Sequence, residues 1–309
     1  MLRNWTDEFS KAFRKKVFTF DHGINETNLF TDDALINLIA KHPPHLTDVC
    51  TMGSTQDTRY PGKLLTGDFR DLSAEEIFMA AKNGNIWINL RRAMNVHAEY
   101  KDVLDKMYGG IAEKTGKKAF NANGGILITS PVARTPYHFD KTETILWHLR
   151  GPKRIFFYPV TPKFIPDTAY ETAVLDMVED DLPYDESFDK EAHIIDLKEG
   201  EAVTWPLSSP HRVENMGFCV SVTTEFSSKE SALKNAAMTA NATMRHKMGF
   251  DPSWTDASPI GRALQSSFGL VLKKTGLAKT IENHDYVMFK LSSDAPGNII
   301  EVDPFIRNF

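Results

Sequence analysis

The sequence predicts a mainly β protein with flanking helices, its core a sandwich or a barrel. Three observations carry this. Between Gly124 and Phe226 the chain breaks into short β-rich runs separated by turns: GGILITS, ETILWHL, KRIFFYP, AHIIDL, EAVTWP and FCVSVTTEF. The last run sets Phe218, Val220, Val222, Thr224 and Phe226 on one side, the two-residue period of a strand. On both sides of this region the patterning turns mixed or helical. Several short strands in succession call for a closed or two-layered β architecture.

The elements follow in order. Residues 31–40 read as a short helix with Leu35, Ile36, Leu38 and Ile39 on its apolar side. Ser73 and Glu76 have the spacing of a capping box, which opens a helix over AEEIFMAAKNG. NIWINL, residues 85–90, reads as a buried strand. Residues 97–114 form the clearest helix, with Tyr100, Val103, Leu104, Met107, Tyr108 and Ile111 on one face and Gly116 as its stop. Asn123-Gly124-Gly125 reads as a turn; no helix opening on Lys-Ser/Thr follows, which excludes a phosphate loop. The acidic stretch from Asp167 to Glu191 reads as a surface loop near the mouth of a site, where it favours a small or positively charged substrate. Helices are expected over 228–248 and 259–273, then returning strands over 285–291 and 298–305. The chain thus divides into residues 1–227, holding the β-core at about 124–226, and a C-terminal helical extension, 228–309. Helices so placed either cover the core or make a homodimer contact.

Composition narrows the function class. The 309 residues are 41% hydrophobic and 25% charged, the balance of a globular protein with a sizeable core. A net charge of −5 gives no reason to expect nucleic-acid binding. Arg14, Lys15 and Lys16 read as a solvated helix face. Cys50 and Cys219 are too few for a disulfide framework, and Cys219 reads as a small packed residue. The N-terminus has no signal-peptide core, and no apolar run approaches 18 residues, so a cytoplasmic protein without membrane attachment is expected.

The chemistry sits in two segments. TPYHFD contains His138 and Asp140, whose spacing on a strand sends both side chains to one face. By itself an H-x-D pair is a weak signal. Further along, His211 follows a strand, a turn at Pro206 and a second proline, Pro210. Two imidazoles and a carboxylate suit iron(II) and leave three positions of an octahedral ion open on one face. Zinc accepts the same donors.

These motifs resemble those of the JmjC and cupin-like family of Fe(II)/2-oxoglutarate oxygenases, with a pattern nearest to the asparaginyl hydroxylase acting on hypoxia-inducible factor. TPYHFD, ETILWHL, GPKR, EGEAVTWP and HRVEN stand in the family's order, over about a third of the chain. Lys153 lies fifteen residues after His138, and His211 five after Pro206, as in the family. The resemblance implies a double-stranded β-helix (jelly-roll) core and a catalytic metal triad of His138, Asp140 and His211. It implies that Lys153, Thr135, Thr144 and Leu127 line the 2-oxoglutarate site, Lys153 pairing with the distal carboxylate. Physically, a dicarboxylate needs a cation at the far end of its pocket, which Lys153 can supply. The implied cofactors are Fe(II), 2-oxoglutarate and O2. The implied reaction is hydroxylation of an unidentified small molecule or protein side chain, with succinate and CO2 as co-products. N-demethylation on the same fold and a non-catalytic cupin-like binding module are the alternatives. Two departures stand out: Gly200-Glu201 replaces a glycine-aspartate, and Ser209-Pro210 replaces an aromatic pair. The second alters the pocket wall, so substrate identity does not transfer.

Other candidates carry less. His148 shares strand parity with Thr144 and Leu146, and reads either as a pocket contact or as a satisfied buried histidine. His193 reads as structural or exposed. Arg134, Tyr137, Arg150 and Arg212 flank the motifs and are candidates for a substrate carboxylate or phosphate. Trp147 and Trp205 read as packing residues.

Overall fold

Alternating apolar residues in the middle of the chain fold into two facing sheets, seen here in a computed structural model that describes residues 1–52, 64–176, 182–278 and 286–309. In chain order the elements are β1 (Leu2–Arg3), α1 (Asp7–Ala12), β2 (Phe18–His22), α2 (Asp32–Lys41), β3 (Thr47–Thr51), β4 (Leu65–Asp68), α3 (Ala74–Asn83), β5 (Trp87–Leu90), α4 (Ala93–Val96) and α5 (Ala98–Thr115). The β-core follows as β6 (Phe120–Thr129), β7 (Arg134–His138), β8 (Glu143–Arg150), β9 (Lys153–Phe157), α6 (Asp167–Asp176), β10 (His193–Leu197), β11 (Glu201–Thr204), β12 (His211–Asn215) and β13 (Cys219–Ser227). Last come α7 (Lys229–Met248), α8 (Pro259–Thr275), β14 (Tyr286–Leu291) and β15 (Ile299–Ile306).

The core strands alternate between two sheets, except that β9 and β10 follow each other in the same one. β6, β8, β11 and β13 lie in a large sheet of order β1-β2-β11-β8-β13-β6-β5-β3-β4-β14-β15. β7, β9, β10 and β12 form a small sheet of order β10-β9-β12-β7. Their pairings are antiparallel, for example β13 on β6 and β8, and β12 on β7 and β9. This is the double-stranded β-helix the sequence leads one to expect. The sheets enclose Leu146, Ile155, Phe157, Leu197, Val203, Trp205 and Val213. The opposite face of the large sheet, with Ile126, Ile128, Ile145, Trp147 and Val222, packs on Leu35, Leu38, Ile77, Phe78, Leu104 and Met107 of the N-terminal helices. Away from the bulges, strand parity therefore sorts residues of the large sheet into a barrel interior and a helix-covered exterior.

Local chemistry fixes the ends of these elements. Ser73 and Glu76 make both hydrogen bonds of the capping box, and α5 stops at Gly116, which is left-handed. Gly151 has φ +89°, and a Cβ there would sit 2.0 Å from the Phe218 carbonyl oxygen. That contact requires glycine between β8 and β9, and so sets where Lys153 enters the barrel. β14 pairs in parallel with β4 and antiparallel with β15, so the C-terminal strands extend the large sheet.

Three local expectations are corrected. Asn123-Gly124-Gly125 lies inside β6 and is no turn; a Cβ on Gly124 would lie 2.8 Å from Leu104 Cδ1, so the glycine lets α5 close on the strand. The 167–191 stretch is no simple loop. It forms α6 and a 3-10 turn at Glu186–Glu191, with residues 177–181 outside the described ones. Its Asp189 accepts hydrogen bonds from Tyr158 and Tyr184 at 2.6 and 2.7 Å and pairs with Arg212, docking the segment on the outer face of the small sheet. Arg14 is no solvated cation either. Its side chain, 12% exposed, pairs with buried Glu143 and with Glu230, because α1 ends before it and the chain turns inward.

Candidate metal centre and cosubstrate pocket

The site is assembled at one mouth of the barrel, where β7 ends and β12 begins. His138 and His211 are cross-strand partners on these neighbouring strands, and Thr135 faces Val213. Three steps on β7 span two on β12, a β-bulge that turns both Thr135 and His138 inward despite their odd spacing. Asp140 lies two residues past the end of β7, so a turn rather than strand parity brings its carboxylate to the histidines. The donor atoms of His138, Asp140 and His211 lie within 4.8 Å of one another. Nε2 of His138 is 4.0 Å from Asp140 Oδ1, and Nε2 of His211 is 3.9 Å from Asp140 Oδ2.

These contacts are too long for hydrogen bonds, but they suit three ligands around one ion. The side chains are already oriented for that task. Nδ1 of His138 meets the Pro136 carbonyl at 2.8 Å, and Nδ1 of His211 meets the Ser209 carbonyl at 3.0 Å. A carbonyl can only accept, so each Nδ1 carries the proton and each Nε2 presents its lone pair to the carboxylate. Burial, reinforced by neighbouring His138, pushes the His211 pKa down to about 4, so its ring is neutral at physiological pH. Trp205 flanks His211 at 4.8 Å between ring centroids and walls one side. Asp140 Oδ2 is buried without a hydrogen-bond donor among the described residues. An orphaned carboxylate oxygen beside two oriented imidazoles fits a divalent ion.

Behind the triad the barrel interior holds one buried cation, Lys153. Lys153 shares parity with Ile155 and Phe157 and points inward, 3% exposed. It stands opposite Asn215, four residues along β12 from His211, or about 13 Å of strand. Among the described residues no carboxylate pairs with it, and burial pushes its pKa down. Between the two ends lie Thr144, buried with an unpartnered Oγ1, the inward Thr135, and Leu127, packed against the interior apolar cluster. The structure thus brings His138, Asp140 and His211 together and turns Lys153, Thr135, Thr144 and Leu127 toward the barrel interior.

The secondary candidates divide. His148 is fully buried, with Nδ1 3.0 Å from Ser221 Oγ and Nε2 against the Gly151 carbonyl: the satisfied histidine. His193 is exposed. Arg134, Tyr137, Arg150 and Arg212 turn away from the interior. Arg134 pairs with Glu214, Arg150 with Asp32, and Arg212 with Asp189, while the Tyr137 hydroxyl donates to the Phe164 carbonyl. Sequence reasoning missed Asn215, whose buried Oδ1 has no donor among the described residues. The signal was there, since Asn215 shares the two-residue period of His211 and Val213. It also missed a bridge outside the barrel, where Asn235 accepts from Tyr170 Oη at 2.7 Å and donates to the Lys141 carbonyl at 2.8 Å.

No protein-family model matches the sequence, and no curated protein matches it. Solved structures match it in fold. A crystal structure of Escherichia coli YcfD is similar over 91% of this chain and 70% of its own, at TM-score 0.50 and 17% identity. A second structure, of the ribosomal oxygenase YcfD from Escherichia coli, is similar over 91% and 69%, at TM-score 0.50 and 14% identity. The likeness is one of fold, and supports the JmjC and cupin-like architecture. It does not single out the asparaginyl hydroxylase whose pattern the sequence resembles.

Proposed function

We propose that this chain is an Fe(II)- and 2-oxoglutarate-dependent dioxygenase that hydroxylates its substrate. One observation carries the reading. An oriented His138–Asp140–His211 triad, with a carboxylate oxygen orphaned among the described residues, stands at the mouth of a barrel whose interior holds a buried lysine without a described carboxylate partner. Structural neighbours that include a ribosomal oxygenase support a reaction of the same kind.

When bound, iron, 2-oxoglutarate and dioxygen supply the oxidising power for hydroxylation, with succinate and CO2 as co-products. The chain supplies the rest. His138, Asp140 and His211 would hold the metal. Lys153 receives the distal carboxylate, with the hydroxyls of Thr135 and Thr144 to orient it. Leu127 and Val213 keep the space between dry, which strengthens each of these polar contacts. Lys153 is placed by β9 and His211 by β12, and paired strands hold the two at fixed separation.

The test is an anaerobic titration with Fe(II) followed by 2-oxoglutarate. Wild type should develop the visible charge-transfer band of a chelated 2-oxo acid. Asp140→Ala and His211→Ala should lose the band, with metal affinity falling by more than the roughly 10–100-fold that loss of a supporting hydrogen bond costs. Bound iron that develops no band on adding 2-oxoglutarate would favour the binding module instead.

A further inference from the structure

Outside the barrel, between the segment after β9, α6, α7 and the start of α8, lies a cavity of about 180 Å³ that the oxygenase reading does not use. At about 30 Å³ per water it has room for roughly six waters, or one small organic molecule. Its walls carry two cations and one acid. Asp167, the acid, is fully engaged: it accepts from the backbone N–H groups of Trp254 and Thr255 at 2.8 and 3.0 Å, and from the hydroxyls of Ser253 and Thr255 at 3.1 and 2.9 Å. Arg262 donates to the carbonyls of Trp254 and Thr255 at 3.0 and 2.8 Å, and its guanidinium lies 5.1 Å from the Trp254 ring centre. No carboxylate among the described residues pairs with it. Lys234 donates to Ser208 Oγ at 3.1 Å and lies 4.6 Å from the Tyr170 ring centre, again without a described carboxylate within ion-pair distance.

The cavity therefore has a net positive lining, aromatic walls and an ammonium with unused donors. Burial, with Arg262 acting in the same direction and the charge of Asp167 opposing, pushes the Lys234 pKa down to about 8. We propose that this cavity is a second ligand site, for a free small carboxylate seated on Lys234. Such an anion offsets the surplus positive charge, and the apolar part of the lining, Val160, Pro162, Ile165 and Met238, suits a carbon body attached to it.

The same residues touch the loops that carry the metal ligands. Lys234 and Tyr170 both hold Ser208, a residue at φ +64° three positions before His211. Tyr170 reaches Asn235, which holds the carbonyl of Lys141, next to Asp140. A carboxylate that draws Lys234 from Ser208 would loosen one of these anchors, and binding at the two sites would then be reciprocally coupled. This coupling, unlike the site itself, rests on the metal reading above.

Benzoate is the probe, titrated calorimetrically into the full chain without metal and without 2-oxoglutarate. Wild type and Lys153→Met should bind it alike, whereas Lys234→Met should bind at least tenfold more weakly. Arg262→Gln should also weaken binding, which covers the case of a poorly folded Lys234 variant. Binding lost in Lys153→Met but kept in Lys234→Met would place benzoate in the barrel and overturn the site. No saturable heat at millimolar benzoate would overturn it too. Inorganic phosphate binding as tightly as benzoate would overturn the carboxylate assignment. For the coupling, benzoate should shift Mn(II) affinity severalfold in wild type and not in Lys234→Met. Benzoate binding with unchanged Mn(II) affinity refutes the coupling alone, while absent Mn(II) binding refutes the metal reading and leaves the benzoate result standing.

Discussion

Replacing Lys153 by methionine separates a binding lysine from a structural one, because the two roles predict opposite signs. Methionine has nearly the same length and volume and no charge. Lys153 is 3% exposed, faces Asn215 across the strand pair and has no described acidic partner. A hydrogen bond to a charged group contributes about 1.5–3 kcal/mol net. At 1.4 kcal/mol per factor of ten, the variant should bind 2-oxoglutarate about 10- to 150-fold more weakly. 2-Oxobutyrate, which lacks the distal carboxylate, should bind both proteins equally. Without ligand the sign reverses. The wild-type ammonium is desolvated and unpaired, so Lys153→Met should be more stable by on the order of 1 kcal/mol or more. pH checks this. Burial lowers the folded-state pKa of Lys153 below its unfolded value of 10.5. The unfolded chain then holds the extra proton, and wild type should close the stability gap as pH rises toward 10.5. Calorimetry with the two oxo acids and urea unfolding from pH 7 to 10 measure both effects. Equal 2-oxoglutarate affinity, or a variant less stable than wild type, would refute the proposed role.

Further outcomes follow from the same geometry. His22 and His148 are buried, with Nε2 of His22 3.1 Å from the His148 carbonyl, and burial lowers both pKa values to about 4. Folded pKa values below the unfolded 6.5 mean that stability is complete above pH 6.5 and is lost as pH falls toward 4, by up to about 3 kcal/mol per ring. A urea midpoint flat between pH 6.5 and 4 contradicts this, as does a His148→Gln variant with an undiminished acid loss. Arg14→Ala strands the Glu143 carboxylate, itself 2% exposed, and should destabilise by about 3 kcal/mol; a midpoint unchanged in urea would show the pair to be dispensable. For the homodimer expected of the C-terminal helices, we propose the exposed stripe of α8, Ile260, Leu264, Phe268 and Val271, as the contact between copies. Leu264→Glu should then halve the mass seen by light scattering, and a monomeric wild type removes the idea.

Much of this protein is set by near neighbours in sequence. The helices over residues 32–41 and 98–115 follow from their apolar stripes, and Ser73 with Glu76 or Gly116 mark ends because caps are local hydrogen bonds. Period-two alternation likewise sorted Thr144, Leu146 and His148 from Ile145 and Trp147, since the pleat gives each strand residue one of two faces. That sorting, taken with the resemblance of TPYHFD, GPKR and HRVEN to the family's motifs, was enough to name the candidate site. Contacts between distant segments lay beyond such patterns. Asp140 joins the triad through a turn, and Thr135 turns inward through a bulge that exists only when β7 pairs with β12. Arg212 and Arg150 resemble anion binders until Asp189 and Asp32, 23 and 118 residues away, neutralise them. Arg14 looks solvated until Glu143 arrives from β8. A sequence states which charges a chain carries and which face of an element they share. Whether a charge remains unpaired, as Lys153 and Lys234 are among the described residues, is settled by what the fold brings against it.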